Sequence, residues 1–311
     1  MGPPRVSVVI AWMAPDADAG ADGADTLASL ARQDCGLDAL EVVVCHPRGV
    51  PPPPSLHAFP HHQVLESPED GYYRLKNLGI AHARGEIIAL ADADCTYAPT
   101  WVSEIVATLD SGADVSVGFS RLQGSSLARR LCSYFDLQQM LLRALGGTRR
   151  FNSSNVAFSA DLIRSCLYDP RFDRTGGCVE LAHRLLQRGA RMQFNPRQTA
   201  VHAFYGLQRH TWKQAVCEGF DFLHSRAVNP SMSLAALTRL GPLAPPLLSA
   251  ILVCADALNV LQNRRVMGIR WWELPAYALG SLFMRTIEMG GMYWALARPR
   301  SIAAFVNRNF A

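Results

Sequence analysis

Two aspartates separated by one residue, Asp92 and Asp94, stand directly after an uncharged run from Ile87 to Ala91. Such a run is typical of a central strand that is buried on both faces, because alternation is needed only where one face meets water. The carboxylates then lie at the carboxyl end of that strand, where open α/β sheets bind ligands. Their hard oxygens suit Mg²⁺ or Mn²⁺ carrying a diphosphate, since such ions are usually held by one or two carboxylates plus phosphates. The pair predicts a metal-diphosphate site; the alternative is a solvated turn before the helix that starts at Pro99.

Three other side chains are candidates for the same edge of the sheet. Arg74 and Lys76 lie on a helix that leads into the central strand, where they could reach a diphosphate, and the alternative for both is that of ordinary surface cations. His202 leaves a late strand and is a further candidate ligand for the metal. The alternative for His202 is a hydrogen-bonded structural histidine.

The elements that must position these residues alternate between strands and helices. Apolar and β-branched runs predict strands over Val6–Trp12, Leu40–Cys45, Ile87–Ala91, Ala113–Phe119, Val156–Phe158, Arg191–Phe194 and Thr199–His202. Apolar stripes and end signals predict helices over Leu27–Ala31, Ser67–Ala83, Pro99–Leu109, Leu127–Leu145, Cys178–Arg188 and Leu207–Ser225. Because strand, helix, strand implies a right-handed parallel crossover, the pattern predicts an α/β fold with a mostly parallel sheet and flanking helices.

The composition bounds the class of protein. The 311 residues can bury a sizeable core, and a formal net charge of +4 without any Lys/Arg run gives no reason to expect a nucleic-acid partner. The 8 cysteines contain no Cys-x-x-Cys pair, which favours reduced thiols over a disulfide framework or a zinc site. The N-terminus opens almost directly into a strand, so we expect no signal peptide and a catalytic part that faces the cytosol.

The chain changes character from Gly241 onward. Residues 241–255 and 274–284 carry no charge, but both runs are shorter than the roughly 18 apolar residues of a confident membrane span. Basic and aromatic residues flank these runs, as is typical of segments at an anionic membrane interface: Arg264, Arg265, Arg270, Arg298, Arg300, Trp271, Trp272, Tyr293 and Trp294. Within the second run's helix, Arg285 and Glu288 are spaced to pair. The alternative is an apolar hairpin that packs on the main domain or in a dimer.

Taken in order, these segments resemble the inverting glycosyltransferases of the large family 2, which have a GT-A-type, Rossmann-like fold. The resemblance covers roughly residues 5 to 225 and is carried by order and spacing, since no single motif is strong. The matching segments are the opening strand with Leu27–Gln33, Leu75–Glu86, the strand ending in Asp92-Ala93-Asp94, Asn155–Phe158, Phe172-Asp173 and Glu180–Leu185.

The resemblance implies roles at the donor side of the site. In such enzymes the first Asp of the pair contacts the ribose of the donor and the second binds the metal, which assigns these roles to Asp92 and Asp94. A Mg²⁺ or Mn²⁺ ion is the implied cofactor, since it stabilises the negative charge of the leaving nucleotide diphosphate. Lys76 stands where the family commonly has Arg, which keeps the charge but loses a bidentate contact. Ala11 and His46 stand where the family has Asn- and Asp-containing nucleotide contacts, so we expect altered recognition of the base.

The catalytic base is where the chain departs most from the family. The family's Glu-Asp pair supplies the group that deprotonates the acceptor hydroxyl, and here that pair is Gly177-Cys178. A thiol with an ordinary pKa near ~8.5 is a poor substitute for a carboxylate. Glu180 and Asp173 are therefore the candidate bases, with Glu180 expected off the buried stripe of its helix. Asn155 and Cys178 are expected beside the acceptor.

Together these features predict a metal-dependent, inverting transfer of a sugar from a nucleotide-diphospho-sugar to a hydroxyl of a lipid-linked or cell-envelope saccharide. Residues 1–228 are the expected catalytic domain, and residues 229–311 the expected hydrophobic helical segment that associates with the cytoplasmic face of the cell membrane. Because the base is missing, a catalytically impaired homologue that binds a nucleotide sugar or a partner enzyme is the alternative.

Overall fold

A computed structural model describes residues 4–13, 24–68, 71–138, 148–172, 176–207 and 209–298. The chain forms two compact units, one of residues 1–123 and 148–203, the other of residues 124–147 and 204–311. The boundary predicted after residue 228 from composition falls inside the second unit. The division into catalytic and membrane-associating segments stays a prediction.

The first unit is built around a sheet that contains eight strands among the described residues. They are β1 Val6–Ala11, β2 Leu40–Pro47, β3 His61–Ser67, β4 Ile87–Asp92, β5 Cys95–Tyr97, β6 Val115–Leu122, β7 Asn155–Ser159 and β8 Met192–His202. Their spatial order is β3-β2-β1-β4-β7-β6-β8-β5. The first four run parallel, β7 is antiparallel to β4 and β6, β6 and β8 are parallel, and β5 is antiparallel to β8. The predicted α/β class is confirmed.

The helices of the described chain are distributed over both units. They are α1 Ala24–Ala31, α2 Tyr72–His82, α3 Trp101–Asp110, α4 Leu127–Ser133, α5 Ala160–Ser165, α6 Gly177–Gln187, α7 Gln214–Val228, α8 Ala244–Asn263 and α9 Leu274–Ala297. Single wider π turns extend α4 over Tyr134–Gln138 and precede α7 over Arg209–Lys213. Residues 139–147 of the predicted Leu127–Leu145 helix lie outside the described residues.

Several sequence-based assignments of strands and helices were wrong. Strand β3 was missed, and Ser67 ends it instead of starting a helix. Residues His61–Ser67 are mostly polar and half-buried, as an edge strand permits, so they give no apolar run to recognise. The two short strands predicted after Arg191 are one strand, β8, whose register against β6 shifts between Gly118 and Phe119. Such an irregularity interrupts the alternation on which strand prediction depends.

A buried carboxylate joins the edge of the sheet to the turn before the central strand. The Glu41 carboxylate accepts hydrogen bonds from the Ser7 hydroxyl, from Gln63 Nε2 at 2.8 Å, and from the backbone N–H and the guanidinium of Arg84 at 2.8 and 2.6 Å. Burial raises the pKa of Glu41, but the hydrogen bonds from these donors outweigh burial, and the pKa lies below its ordinary value of 4.5. The folded state therefore favours the ionised form.

We expect Glu41→Gln to destabilise the first unit by about 2 kcal/mol at neutral pH, because it removes the charge from a buried, fully bonded site. A depressed pKa contributes stability above the unfolded-state pKa, and that contribution is lost as the pH falls through the folded-state value. The difference from wild type should therefore shrink below pH 4.5. Thermal unfolding of variant and wild type at neutral pH and below pH 4.5 measures this difference in stability. Glu66→Gln is the control, since Glu66 forms an exposed pair with Arg48 worth at most ~1 kcal/mol; equal effects of the two variants would refute the expectation.

In the second unit, α7 and α9 cross with their backbones in contact. A Cβ on Gly219 would lie 1.9 Å from the carbonyl oxygen of Glu288, and a Cβ on Gly291 would lie 2.1 Å from that of Val216. Neither position tolerates a side chain without separating the helices. A Cβ on the neighbouring Gly290 would meet no atom of the described residues within 4 Å outside its own helix.

We expect Gly291→Ala to destabilise the second unit by about 2 kcal/mol, because the added methyl group overpacks the crossing. Gly290→Ala is the matched control one residue away, and we expect it to be neutral or stabilising by up to ~1 kcal/mol, since alanine favours helix more than glycine does. Thermal unfolding of the two variants compares them directly. A Gly291→Ala protein as stable as Gly290→Ala would show that the crossing is not tight.

Candidate active site

The register of three parallel strands brings the predicted donor-side residues to one edge of the sheet. Ala11 at the end of β1 is level with Cys45 of β2 on one side and Asp92 of β4 on the other. His46 follows Cys45, is buried, and bonds through Nδ1 to the Pro47 carbonyl oxygen at 3.1 Å. The structure therefore places Ala11, His46 and Asp92 together at the carboxyl edge.

Asp92 is held in one orientation by donors from α2. Lys76 Nζ donates to its Oδ1 at 2.9 Å, and the Tyr72 hydroxyl donates to the same oxygen at 2.5 Å. The backbone N–H of Asp92 donates to the Tyr97 hydroxyl at 2.9 Å. Burial raises the pKa of Asp92, but the charge of Lys76 and the hydrogen bond from Tyr72 outweigh burial and lower it overall. Asp92 is thus a preorganised carboxylate at neutral pH.

Lys76 lies beneath the site and does not point into it. Its side chain is 0% exposed, and Nζ also donates to the carbonyl oxygens of Ala91 and, at 3.5 Å, of Val9. The expectation that Lys76 reaches a diphosphate is therefore corrected, because its ammonium group already donates hydrogen bonds to Asp92 and to the carbonyl oxygens of Ala91 and Val9. Arg74, on the same helix, is exposed.

The second carboxylate of the pair meets a histidine from another strand. Cys95 of β5 is the register partner of His202 in β8, so this pairing carries the imidazole to Asp94. His202 Nε2 lies 3.4 Å from Asp94 Oδ1, and both side chains are about one fifth exposed (18% and 23%). With the buried thiol of Cys95, their ligand atoms all lie within 4.8 Å of one another.

The chemistry of this donor set fits a cation. His202 Nδ1 lies 3.0 Å from the Ala203 carbonyl oxygen, and because a carbonyl only accepts, Nδ1 must carry the proton. In the neutral ring, Nε2 then presents a lone pair toward the Asp94 carboxylate. Two acceptors 3.4 Å apart repel each other unless a proton or a cation lies between them. Asp94 and His202 are therefore the residues that could hold a divalent ion.

The position at which the resemblance predicts the catalytic base holds the Cys178 thiol, at the start of α6. Its Sγ lies 3.5 Å from the Tyr73 hydroxyl and 4.0 Å from that of Tyr168, and the two tyrosine rings stack at 4.5 Å. Burial raises the pKa of Cys178 in spite of nearby hydroxyls that lower it. The thiol is thus protonated at neutral pH and cannot accept a proton from a sugar hydroxyl.

Glu180, a candidate base, lies inside the protein, which corrects its predicted place off the buried stripe. It is 1% exposed, and both of its oxygens accept from Arg184 Nε at 2.8 and 2.9 Å. Arg184 is fixed in turn by the Leu167 carbonyl oxygen at 2.8 Å. Two residues along a helix rotate a side chain by about 200°, so Glu180 turns away from Cys178. Asp173, the other candidate, lies outside the described residues.

Asn155 is also buried and bonded within the protein. Its Oδ1 accepts from Trp101 Nε1 at 2.7 Å and from Gln198 Nε2 at 3.0 Å, while its Nδ2 donates to Ser120 Oγ at 3.1 Å. These bonds join β7 to β6, β8 and α3. The side chain has its polar atoms committed to the sheet instead of turned toward an acceptor.

One site residue, Tyr72, is not predicted by the sequence analysis. The Tyr72 hydroxyl bridges Asp92 and the Ser153 hydroxyl, from which it lies 2.6 Å. Tyr72 stands four residues before Lys76 on α2, so helical spacing could have placed both side chains under the same carboxylate. Ser153 belongs to the polar segment Asn152–Asn155, whose side chains are predicted from the sequence to be able to hydrogen-bond a sugar, and the structure places its hydroxyl against Tyr72.

Comparison with known proteins identifies a matching family and a curated relative. Residues 55–153 match the family described as Glycosyl transferase family 2. The curated glycosyltransferase AglE of Haloferax volcanii is 24% identical over 135 residues, which are 42% of this chain and 44% of the relative. The match therefore spans less than half of the relative's length.

Solved structures share the GT-A fold. The mannosyltransferase PcManGT from Pyrobaculum calidifontis, in complex with GDP-Man and Mn²⁺, superposes with a TM-score of 0.63 at 18% identity, over 96% of this chain and 88% of that chain. TarS 1-349 of S. aureus, in complex with UDP, gives a TM-score of 0.53 at 14% identity, over 91% of this chain and 90% of that chain. GalNAc-T7 with UDP, GalNAc and Mn²⁺ gives a TM-score of 0.51 at 17% identity, over 73% of this chain and 51% of that chain. At these identities the likeness is one of fold.

Proposed function

We propose that this chain is a family 2 glycosyltransferase with the GT-A fold, and that it transfers a sugar, with inversion, from a nucleotide-diphospho-sugar to a hydroxyl. The acceptor is a lipid-linked or cell-envelope saccharide at the cytoplasmic face of the cell membrane. The reaction depends on a divalent cation held by Asp94 and His202, with Asp92 beside it.

The observation that carries the proposal is the convergence of Asp92, Asp94 and His202 at one edge of the sheet. Asp94 Oδ1 and His202 Nε2 lie 3.4 Å apart, which is close enough for both atoms to bind one cation. When bound, that cation would supply Lewis-acid stabilisation of the leaving diphosphate. Mn²⁺ suits a mixed carboxylate and imidazole set better than Mg²⁺, which demands oxygen ligands. Two of the fold's solved relatives were captured with Mn²⁺ and a nucleotide or nucleotide sugar.

The residues of the site divide the tasks of this reaction. Lys76 and Tyr72 hold Asp92 ionised and oriented, so that its second oxygen is available to the ribose of the donor. Asp94 and His202 would hold the divalent ion, whose charge would offset that of the diphosphate. The acceptor hydroxyl approaches from the side of Cys178, where the thiol takes no proton.

A second candidate function follows from that thiol. Without a carboxylate at the position of Cys178, the domain could bind a nucleotide sugar and transfer it slowly or not at all, and serve as a binding or assembly subunit. The buried ion pair of Glu180 with Arg184 favours this candidate, because it withdraws one of the two alternative bases.

A donor panel separates the two candidates. Purified full-length protein is incubated with GDP-mannose, UDP-N-acetylglucosamine and other nucleotide sugars, with Mn²⁺ or with a chelator, and both nucleotide release and calorimetric binding are measured. A saccharide acceptor is added to the same incubations, so that the sugar can pass to it or to water. Mn²⁺-dependent release then identifies a transferase, and Mn²⁺-dependent binding without release in the presence of the acceptor identifies the binding subunit. Absence of binding to every donor would contradict both.

A further inference from the structure

The charged side chains of α8 and α9, two helices that the structure describes in full, are all buried. They are Asp256, Arg285 and Glu288, which are 4%, 5% and 2% exposed. Arg285 pairs with Asp256 at 2.9 Å and with Glu288 at 2.6 Å, which confirms the predicted pairing of Arg285 with Glu288. The hydroxyls of Ser281 and Tyr134 donate to Asp256 at 2.6 and 2.9 Å. The charged groups of this helical pair therefore face inward.

The outward faces of the same helices are apolar. Large exposed side chains on them range from 42% to 70% exposed: Leu247, Leu258, Leu261, Leu279, Leu282 and Phe283. A helix on the surface of a water-soluble protein normally carries its charged residues on this face and its apolar stripe inward. Helices surrounded by hydrocarbon are expected to turn their charged side chains toward the protein and their apolar side chains toward the lipid, as α8 and α9 do.

The connection between the helices, residues 264–273, has the opposite character. Arg264 stacks on the Trp271 ring at 3.9 Å and Arg270 on that of Trp272 at 5.4 Å, while the indoles are 60% and 72% exposed. The acid of this segment, Glu273, is buried and paired with Arg130. Its exposed charge is therefore positive, and exposed indoles beside arginines are typical of a lipid headgroup region.

The lengths of α8 and α9 match the thickness of the hydrocarbon core of a membrane. Helices α8 and α9 contain 20 and 24 residues, which at 1.5 Å per residue are about 30 and 36 Å long, against a hydrocarbon core of about 30 Å. The stretch Ala235–Asn263 includes an 18-residue window with a mean hydropathy of 1.7, and only 39% of that window is buried. By length and composition it can cross a membrane, and most of it is not shielded as a core helix would be.

We propose that the outward faces of α8 and α9, together with the 264–273 turn, form a lipid-embedded surface whose arginines bind anionic phospholipid headgroups. A second copy of this chain fits less well, because pairing the surface with itself would bring the arginines no exposed acid from either helix or from the turn. The inference deepens the membrane part of the proposed function, and it does not depend on sugar transfer, so each can fail alone.

Vesicle flotation of the full-length protein tests the apolar faces. The double variant Leu282→Asp/Phe283→Asp adds two charges at exposed positions, where the fold tolerates them. We expect the fraction floating with phosphatidylcholine and phosphatidylglycerol vesicles to fall at least ~100-fold, since an aspartate in hydrocarbon is that costly. Val64→Asp, at an exposed apolar position on the edge strand β3, is the control and should float like wild type. Equal flotation of the double variant and wild type would overturn the proposal, as would a detergent-free soluble dimer that the double variant converts to a monomer.

The turn is tested by lipid composition. Replacing Arg264, Arg265 and Arg270 by glutamine should remove most of the preference for vesicles with phosphatidylglycerol over phosphatidylcholine alone, by roughly fivefold for each charge near the surface. The wild-type preference should weaken as salt is raised. A preference that is unchanged in the triple variant would overturn the assignment of headgroup binding to this turn.

Discussion

Asp94→Ala should abolish the Mn²⁺-dependent part of nucleotide binding, with a loss of affinity of at least ~100-fold, while the fold stays intact. Asp94 follows β4 in a tight turn and is partly exposed, so its removal leaves no cavity in the core. The variant should be about as stable as wild type, because Asp94 is partly exposed and its contact with His202 at 3.4 Å contributes at most ~1 kcal/mol. Calorimetric titration of GDP and UDP, with Mn²⁺ and with a chelator, measures the loss.

The control for Asp94→Ala is Asp110→Ala, which removes an acid from an exposed pair with Arg5. It should leave Mn²⁺-dependent binding unchanged. His202→Ala should weaken the same binding by ~10- to 100-fold, since one of two protein ligands remains. If Asp94→Ala binds nucleotide with the Mn²⁺-dependent affinity of wild type, the cation is held elsewhere and the donor site proposed above is wrong.

The sequence predicted the parts of the fold that periodicity controls. The uncharged run Ile87–Ala91 is a central strand flanked by β1 and β7, because an uncharged run can be buried on both faces without any ion pair. The edge strand β3 and the short β5 were not predicted, since neither has an apolar run and their pairing depends on distant strands. β5 matters most, because its register with β8 brings His202 to Asp94.

The sequence predicted that the candidate site lies at the carboxyl edge of the sheet, but it did not predict the contacts of its side chains. Sequence order placed Asp92 and Asp94 correctly, because the carboxyl end of a strand is a local property. The direction of Lys76 was not predictable, since a lysine at that position can turn outward to a phosphate or inward to Asp92, and only the packing of α2 decides. Glu180 was misjudged because its burial is compensated by Arg184, one turn later, and by a carbonyl from a separate segment.

Cys178→Asp should raise the transfer rate at least ~100-fold over wild type, as expected for supplying a general base. The position begins α6 and is surrounded by donors, with the Tyr73 and Tyr168 hydroxyls 3.5 and 4.0 Å from Sγ. A carboxylate there would be ionised at neutral pH and stabilised by those hydroxyls, whereas burial raises the pKa of the thiol and keeps it protonated.

The pH dependence gives a second, independent readout of Cys178→Asp. The rate of the variant should rise as its carboxylate loses a proton and level off at neutral pH. Any wild-type rate that uses the thiol should rise only above the raised pKa of Cys178, so the variant's profile should lie at lower pH. A rate increase without this displacement would indicate that the aspartate acts on binding instead of on proton transfer.

Two matched variants complete the test of the base. Cys178→Ser keeps the size of the side chain without adding a base and should not raise the rate. Glu180→Gln breaks a buried pair with Arg184, so we expect its melting temperature to fall and its activity to follow the folded fraction. If Cys178→Asp binds donor but transfers no faster than Cys178→Ser, and both transfer as fast as an active wild type, the base lies elsewhere in the chain. If wild type, Cys178→Asp and Cys178→Ser all bind nucleotide with Mn²⁺ but none of them transfers sugar, the domain is a nucleotide-sugar-binding subunit.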